Sequence, residues 1–185
     1  MKKLLSLLAL FAVILTSCTG DPGPPGRDGL DGVDAEFSKV FEVTGIDYTY
    51  NQNDNEWFTP NPITFDGIEV LEGDAVLVYL ADGSITASDG QPTDLWKMMP
   101  ITFYDPVNQN NEFQYEFNHT FEDVELNIVG NFDLSNLNDA AVFNQKVRIV
   151  IIPTEYAENF KGDFSNFNAV MAALDLQESD VKKLN

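Results

Sequence analysis

Residues 112–130 read Glu-Phe-Gln-Tyr-Glu-Phe-Asn-His-Thr-Phe-Glu-Asp-Val-Glu-Leu-Asn-Ile-Val-Gly, and the period of this stretch decides the fold class. Phe113, Tyr115, Phe117, His119 and Phe121 share one parity, while Glu112, Gln114, Glu116 and Asn118 occupy the other. Successive side chains of a strand point to opposite faces, so the pattern describes a strand with one apolar and one wet face. The parity then slips: Val124, Leu126 and Ile128 alternate with Asp123, Glu125 and Asn127. A turn or bulge near Glu122 accounts for the slip.

Working outward, further strands are expected over Phe37–Val43, Ile46–Tyr50, Ile63–Val70, Ala75–Leu80, Leu95–Tyr104 and Phe143–Ile152. Gly45, Gly67, Gly73, Gly83, Gly90 and Gly130 punctuate them as turn residues do. Short strands at this spacing predict a mostly β head over residues 35–185, an antiparallel β-sandwich or jelly-roll-like fold. One C-terminal helix is expected, because Phe164, Phe167, Val170, Met171 and Leu174 recur at helical spacing. Asp163 or Ser165 is placed to cap it, and the stripe is expected to pack on a sheet edge.

Composition bounds the chemistry. The 185 residues carry 30 acidic against 10 basic side chains, a net charge of −20. Phosphate binding needs clustered Lys and Arg, so a nucleic-acid partner is excluded. One Cys and one His rule out a disulfide within the chain and any metal site built on two Cys or two His.

The amino terminus has a different character. Lys2 and Lys3 precede an apolar run from Leu4 to Leu15, broken by Ser6 and too short for a membrane span of ~20 residues. Residues 1–17 therefore read as a signal peptide, and Leu15-Thr16-Ser17-Cys18 resembles the bacterial lipobox, in which the Cys is diacylated with palmitate-type chains. Two or three acyl chains hold a protein on a membrane without spanning it. Removing the signal takes Lys2 and Lys3 away, leaving 8 basic against 30 acidic residues, or −22. Anionic headgroups repel such a surface, so the lipid itself has to provide the attachment.

Gly20, Gly23, Gly26, Gly29 and Gly32 then recur with a period of three, within residues 18–34. Glycine at every third position is the requirement of a collagen triple helix, whose axis admits only hydrogen. A homotrimer follows if three chains associate. The same triplets, with Asp at several positions, also make an acidic monomeric tether. Both readings give a spacer about 45 Å long at ~3.1 Å per residue.

These residues together resemble the collagen-like-repeat lipoproteins of Bacteroidota: lipobox, short Gly-X-Y stretch, β-rich head of unknown function. The resemblance is strongest over Cys18–Asp34 and looser around Trp96…Pro100, Val147–Pro153 and the C-terminal helix. It implies a lipid-anchored protein of the bacterial outer membrane or cell surface, and Asp21 matches the acidic residues that follow the Cys in surface-exported members. The family has no established catalytic residues, so the resemblance assigns none. Its oxidoreductase-like names have no chemical basis here, since a redox Cys pair and a GxGxxG loop are both missing.

The head offers a few sites to weigh. His119 is the single imidazole, and a general-base reading sets it beside Asp123 or Glu125, against a partly buried place in its own aromatic row. No G-x-S-x-G elbow supplies a nucleophile. Glu122, Asp123 and Glu125 could mimic a glycosidase pair, although near carboxylates arise by chance in so acidic a chain. Asn51, Asn53, Asp54, Asn55 and Glu56, and separately Asp105, Asn108, Asn110 and Glu112, hold the oxygen chemistry of calcium without the EF-hand spacing. They also suit ordinary turns. Tyr48, Tyr50, Trp57 and Trp96 are core aromatics or a ligand platform. The sequence thus assigns no catalytic set, no metal ligand and no required cofactor. It points to an adhesion or ligand-binding head for a protein or glycan, with an extracellular hydrolase or a structural spacer as alternatives.

Mass spectrometry of the native amino-terminal peptide is expected to find diacylglyceryl cysteine at Cys18. A Cys18→Ala variant should leave the detergent phase, and an unmodified thiol at Cys18 would remove the anchor from the reading.

Overall fold

The computed structural model describes residues 39–65, 67–88 and 90–184. The expected signal peptide of residues 1–17, Cys18 and the glycine triplets of 18–34 lie outside these residues.

The head is a two-sheet sandwich with a helical layer on one side. Its strands are β1 (Lys39–Ile46), β2 (Thr49–Asn51), β3 (Glu56–Phe58), β4 (Ile63–Thr64), β5 (Ala75–Thr86), β6 (Pro92–Met98), β7 (Ile101–Tyr104), β8 (Glu112–His119), β9 (Asp123–Gly130), β10 (Gln145–Ile152) and β11 (Lys182–Leu184). The helices are α1 (Asp139–Val142), α2 (Thr154–Asn159) and α3 (Phe167–Ala173). The first sheet has the order β11-β1-β10-β5-β6, and the second β2-β3-β9-β8-β7 with β4 added to β9. Pairings are antiparallel apart from β1 with β11, which is parallel.

Alternation builds the core between the sheets. Phe41, Val78, Leu80, Val147, Ile149 and Ile151 of the first sheet meet Tyr115, Val124, Leu126 and Ile128 of the second. The strand β8 behaves as its parity predicts, with Tyr115 buried and Glu112 and Asn118 exposed.

The strand β10 obeys a different rule. It reads Val147-Arg148-Ile149-Val150-Ile151-Ile152, and all six residues are buried. An unalternated apolar run requires cover on both faces. On the outer side Val40, Leu77, Tyr79, Val150 and Ile152 pack under Phe167, Val170, Met171, Leu174 and Leu176. The expected helical stripe is therefore present, but it lies on a sheet face rather than an edge. Its cap is Asn166, whose side chain accepts from the Ala169 N–H, in place of Asp163 or Ser165. The two further helices are four and six residues long, too short for a periodic apolar stripe to declare them.

Several strand boundaries differ from expectation. The expected strand Ile46–Tyr50 is divided, Ile46 ending β1 and Thr49 opening β2, and two other differences have local reasons. The run Leu95–Tyr104 divides at Met99–Pro100, so that β6 joins the first sheet and β7 the second; Pro100 has no N–H to continue a ladder. Gly83, expected to end a strand, sits inside the 12-residue β5 at φ +81°, where the register with β6 shifts between Ala81 and Ser84. Glycine relieves the strain of a bulge at positive φ, and the strand runs on.

One buried charge pins the helical layer. The Arg148 guanidinium donates to Glu42 at 2.8 and 2.9 Å on the neighbouring strand, and to Glu178 beyond α3. It also lies 4.4 Å from the Trp96 ring centre and 5.1 Å from that of Phe167. Burial works against its charge, but the hydrogen bonds with Glu178 and Glu42 outweigh that and hold its pKa above the ordinary guanidinium value. Tyr79 adds a second tie, its hydroxyl donating to the Phe164 carbonyl at 2.6 Å while burial pushes its pKa up.

Removing one partner of a buried pair leaves the other as an uncompensated charge. Arg148→Met should cost about 3–5 kcal/mol, because it leaves the buried Glu42 with only the exposed Lys183, 3.9 Å away, as a counter-charge. In urea unfolding the double variant Glu42→Gln/Arg148→Met should recover much of that loss, and full additivity of the two changes would refute the coupling.

Candidate functional site

The slip of parity in residues 112–130 becomes a tight turn between β8 and β9. Its register ends with His119 opposite Val124. The Thr120 N–H donates to the Asp123 carbonyl at 3.0 Å. The Thr120 hydroxyl donates to Asp123 Oδ1 at 2.7 Å and accepts from the Glu122 and Asp123 N–H groups at 3.0 and 3.2 Å. This closure leaves Phe121 at the apex, 59% exposed.

A second segment crosses the same end of the sandwich. The expected strand Ile63–Val70 pairs only over Ile63–Thr64, on β9, after which the chain must pass from the second sheet to the first. Phe65 is buried with its N–H on the Glu122 carbonyl at 2.8 Å. Gly67 turns the chain at φ +73°, and Val70 is buried. Asp74 then accepts from the Leu71 N–H at 3.0 Å and from the Thr154 N–H at 3.2 Å, which fixes the loop and leaves Leu71 60% exposed. Residues Lys39, Ile151 and Val76 share one register row, so β1 begins at this end too.

Between the loop and the turn lie two adjoining hollows of about 220 and 420 Å³, which share Val70 and Phe121. Leu71, Val76 and His119 line the first, and Phe65, Ile68 and Glu122 line the second. Among the described residues five carboxylates border them: Glu69, Glu72, Asp74, Glu122 and Asp123. Asp74 and Asp123 are committed to the hydrogen bonds above. The carboxylates of Glu69, Glu72 and Glu122 have no partner among the described residues.

The structure thus gathers His119, Glu122 and Asp123 at one place but gives them no shared chemistry. His119 is exposed rather than partly buried, because its strand ends there; its ring stacks at 6.1 Å from Phe117. Nδ1 lies 3.4 Å from the Thr120 carbonyl, with neither Asp123 nor Glu125 as a hydrogen-bond partner among the described residues. Glu125 points away from the core by the alternation of β9, on the other face from His119.

The other candidates are dispersed, apart from Tyr50 and Trp57, cross-strand partners whose ring centres lie 5.2 Å apart. Tyr48 is buried in the core with its ring edge-on to Tyr115 at 6.3 Å, and burial drives its pKa far up. Trp57 donates through Nε1 to the Leu134 carbonyl at 2.8 Å, while Tyr50 donates to Asn55 Oδ1 at 2.9 Å. Trp96 lies beneath Arg148 on the outer face of the first sheet. These aromatics therefore do not form one platform.

Both oxygen-rich loops are turns stitched by their own side chains. Asn51 Oδ1 accepts from the Asn53 N–H at 3.0 Å, and Asn55, at φ +53°, reaches across to the Phe132 carbonyl at 2.7 Å and the Leu134 N–H at 2.9 Å. Asp105 Oδ1 accepts from the Val107 N–H at 2.7 Å and Asn108 Oδ1 from the Asn110 N–H at 3.2 Å. Among the described residues no three of His, Cys, Asp and Glu gather as metal ligands, and no helix is long and apolar enough to cross a membrane.

Sequence reasoning missed the loop 65–74, because Phe65 continues the alternation of Ile63, and Ile68 and Val70 alternate again around Glu69, one parity out. Its flanking glycines, Gly67 and Gly73, were the available signal. Comparison of the chain with protein-family models, curated proteins and solved structures finds no significant match.

The Thr120 hydroxyl holds three hydrogen bonds of the turn. Thr120→Val should cost about 1–2 kcal/mol in urea unfolding, while Phe121→Ala, at an exposed apex, should stay within about 0.5 kcal/mol.

Proposed function

We propose that this is a lipid-anchored lipoprotein of the bacterial envelope or cell surface whose β-sandwich head binds a ligand on a collagen-like stalk. Cys18 carries the anchor in this reading, and the triplets at Gly20, Gly23, Gly26, Gly29 and Gly32 form the stalk, as trimer or as single tether. The observation that carries the binding role is the exposure of Leu71 and Phe121 on the same hollow, at 60% and 59%. Neither side chain is needed to close the core, and both stand on backbone fixed by Asp74 and Thr120. Rigidly held apolar groups on loops at one end of a sandwich suit recognition, since little ordering entropy opposes contact. Catalysis finds less support, because among the described residues no carboxylate is hydrogen-bonded to His119 to orient it.

The test is binding of the detergent-solubilised full-length protein to glycan and protein arrays, repeated with Leu71→Ser/Phe121→Ser. Specific signals that fall at least about tenfold in the double variant, with unchanged circular dichroism, support the reading. Signals unchanged by the double variant would move recognition elsewhere, and no signal from either protein would favour the spacer.

A further inference from the structure

Resting on that reading of the cleft, we propose that its partner is a cationic polypeptide segment that seats one apolar side chain between Leu71 and Phe121. Two independent features of the surface converge on this chemistry. The hollow exposes two large apolar groups, which stabilise a partner only if it brings an apolar side chain of its own. Around it stand Glu69, Glu72 and Glu122, and among the described residues these carboxylates have no partner and no Lys or Arg lines either hollow. Three carboxylates with no partner among the described residues are complementary to Lys or Arg flanking the apolar anchor. Phe121 presents a ring face that a guanidinium or ammonium can cover.

The same charges dismiss the other occupants. A second copy of this chain would set five carboxylates against five across an isologous contact. A membrane surface with anionic headgroups is repelled by the rim and by the whole chain. A bare cation would leave Leu71 and Phe121 without a role.

The experiment pans a phage library of random dodecapeptides on the detergent-solubilised full-length protein, then measures the selected peptides in solution. The expected peptides combine Lys or Arg with Leu, Ile or Phe. Their affinity should fall at least about tenfold in Glu69→Gln/Glu72→Gln/Glu122→Gln and weaken steeply as salt rises, since exposed charges are screened. Selected peptides that are neutral or acidic, or no selection at all, would overturn the proposal. So would binding of anionic phospholipid vesicles in their place. If the triple Gln variant keeps full affinity while Leu71→Ser/Phe121→Ser loses it, the cleft stands as a binding site and its cationic specificity falls. If neither variant loses affinity, the cleft reading falls with it.

Discussion

Strand β10 runs through the middle of the first sheet with β1 on one side and β5 on the other, and Val147 to Ile152 are all buried. Burying an aliphatic side chain contributes roughly 1.5–3 kcal/mol, so neither face of such a strand can be left in water. The inner face is covered by the second sheet. Among the described residues the outer face is covered by the chain after Pro153. The helices α2 and α3 and the return of β11 onto β1 all follow from that constraint.

Arg148 is the exception within β10 and shows what the constraint costs. Its side chain falls on the outer, helix-covered face, where a lone charge would be unsustainable. Glu42 on β1 reaches it from the next strand and Glu178 from the C-terminal segment, while Trp96 and Phe167 flank its plane. A planar guanidinium with five donors can hold two carboxylates and stack on rings at once, which an ammonium cannot. The ion pair thereby fixes where the helical layer sits, since a shift of α3 would separate Arg148 from both Glu178 and Phe167.

The opposite tendency operates at the loop end. The chain there has to leave the second sheet at Thr64 and join the first at Ala75, and it is stiffened by Asp74, Thr120 and the Phe65–Glu122 backbone bond. Burial of Phe65 and Val70 and the hydrogen bonds of Asp74 and Thr120 together set this conformation. Leu71 and Phe121 can consequently stay in solvent without loosening the loop, which is the basis of the recognition proposed for the cleft.

Alternation over Glu112–Gly130 was enough to specify β8 and β9, because a period of two depends only on which face each side chain takes. It left a turn or a bulge open between them, and the sandwich class followed from the spacing of the short strands as a set. The spacing of Phe167, Val170, Met171 and Leu174 likewise specified a helix with an apolar stripe. The sequence placed His119, Glu122 and Asp123 near one another, since five residues around a turn can hardly separate. Which sheet each strand joins was decided by tertiary structure, as the split at Pro100 and the passage from Thr64 to Ala75 show, because pairing partners lie far apart in sequence. The cleft was decided there too. Leu71 and Phe121 are 50 positions apart, and their meeting depends on β4 pairing with β9 and β5 with β10, a convergence that no local pattern encodes.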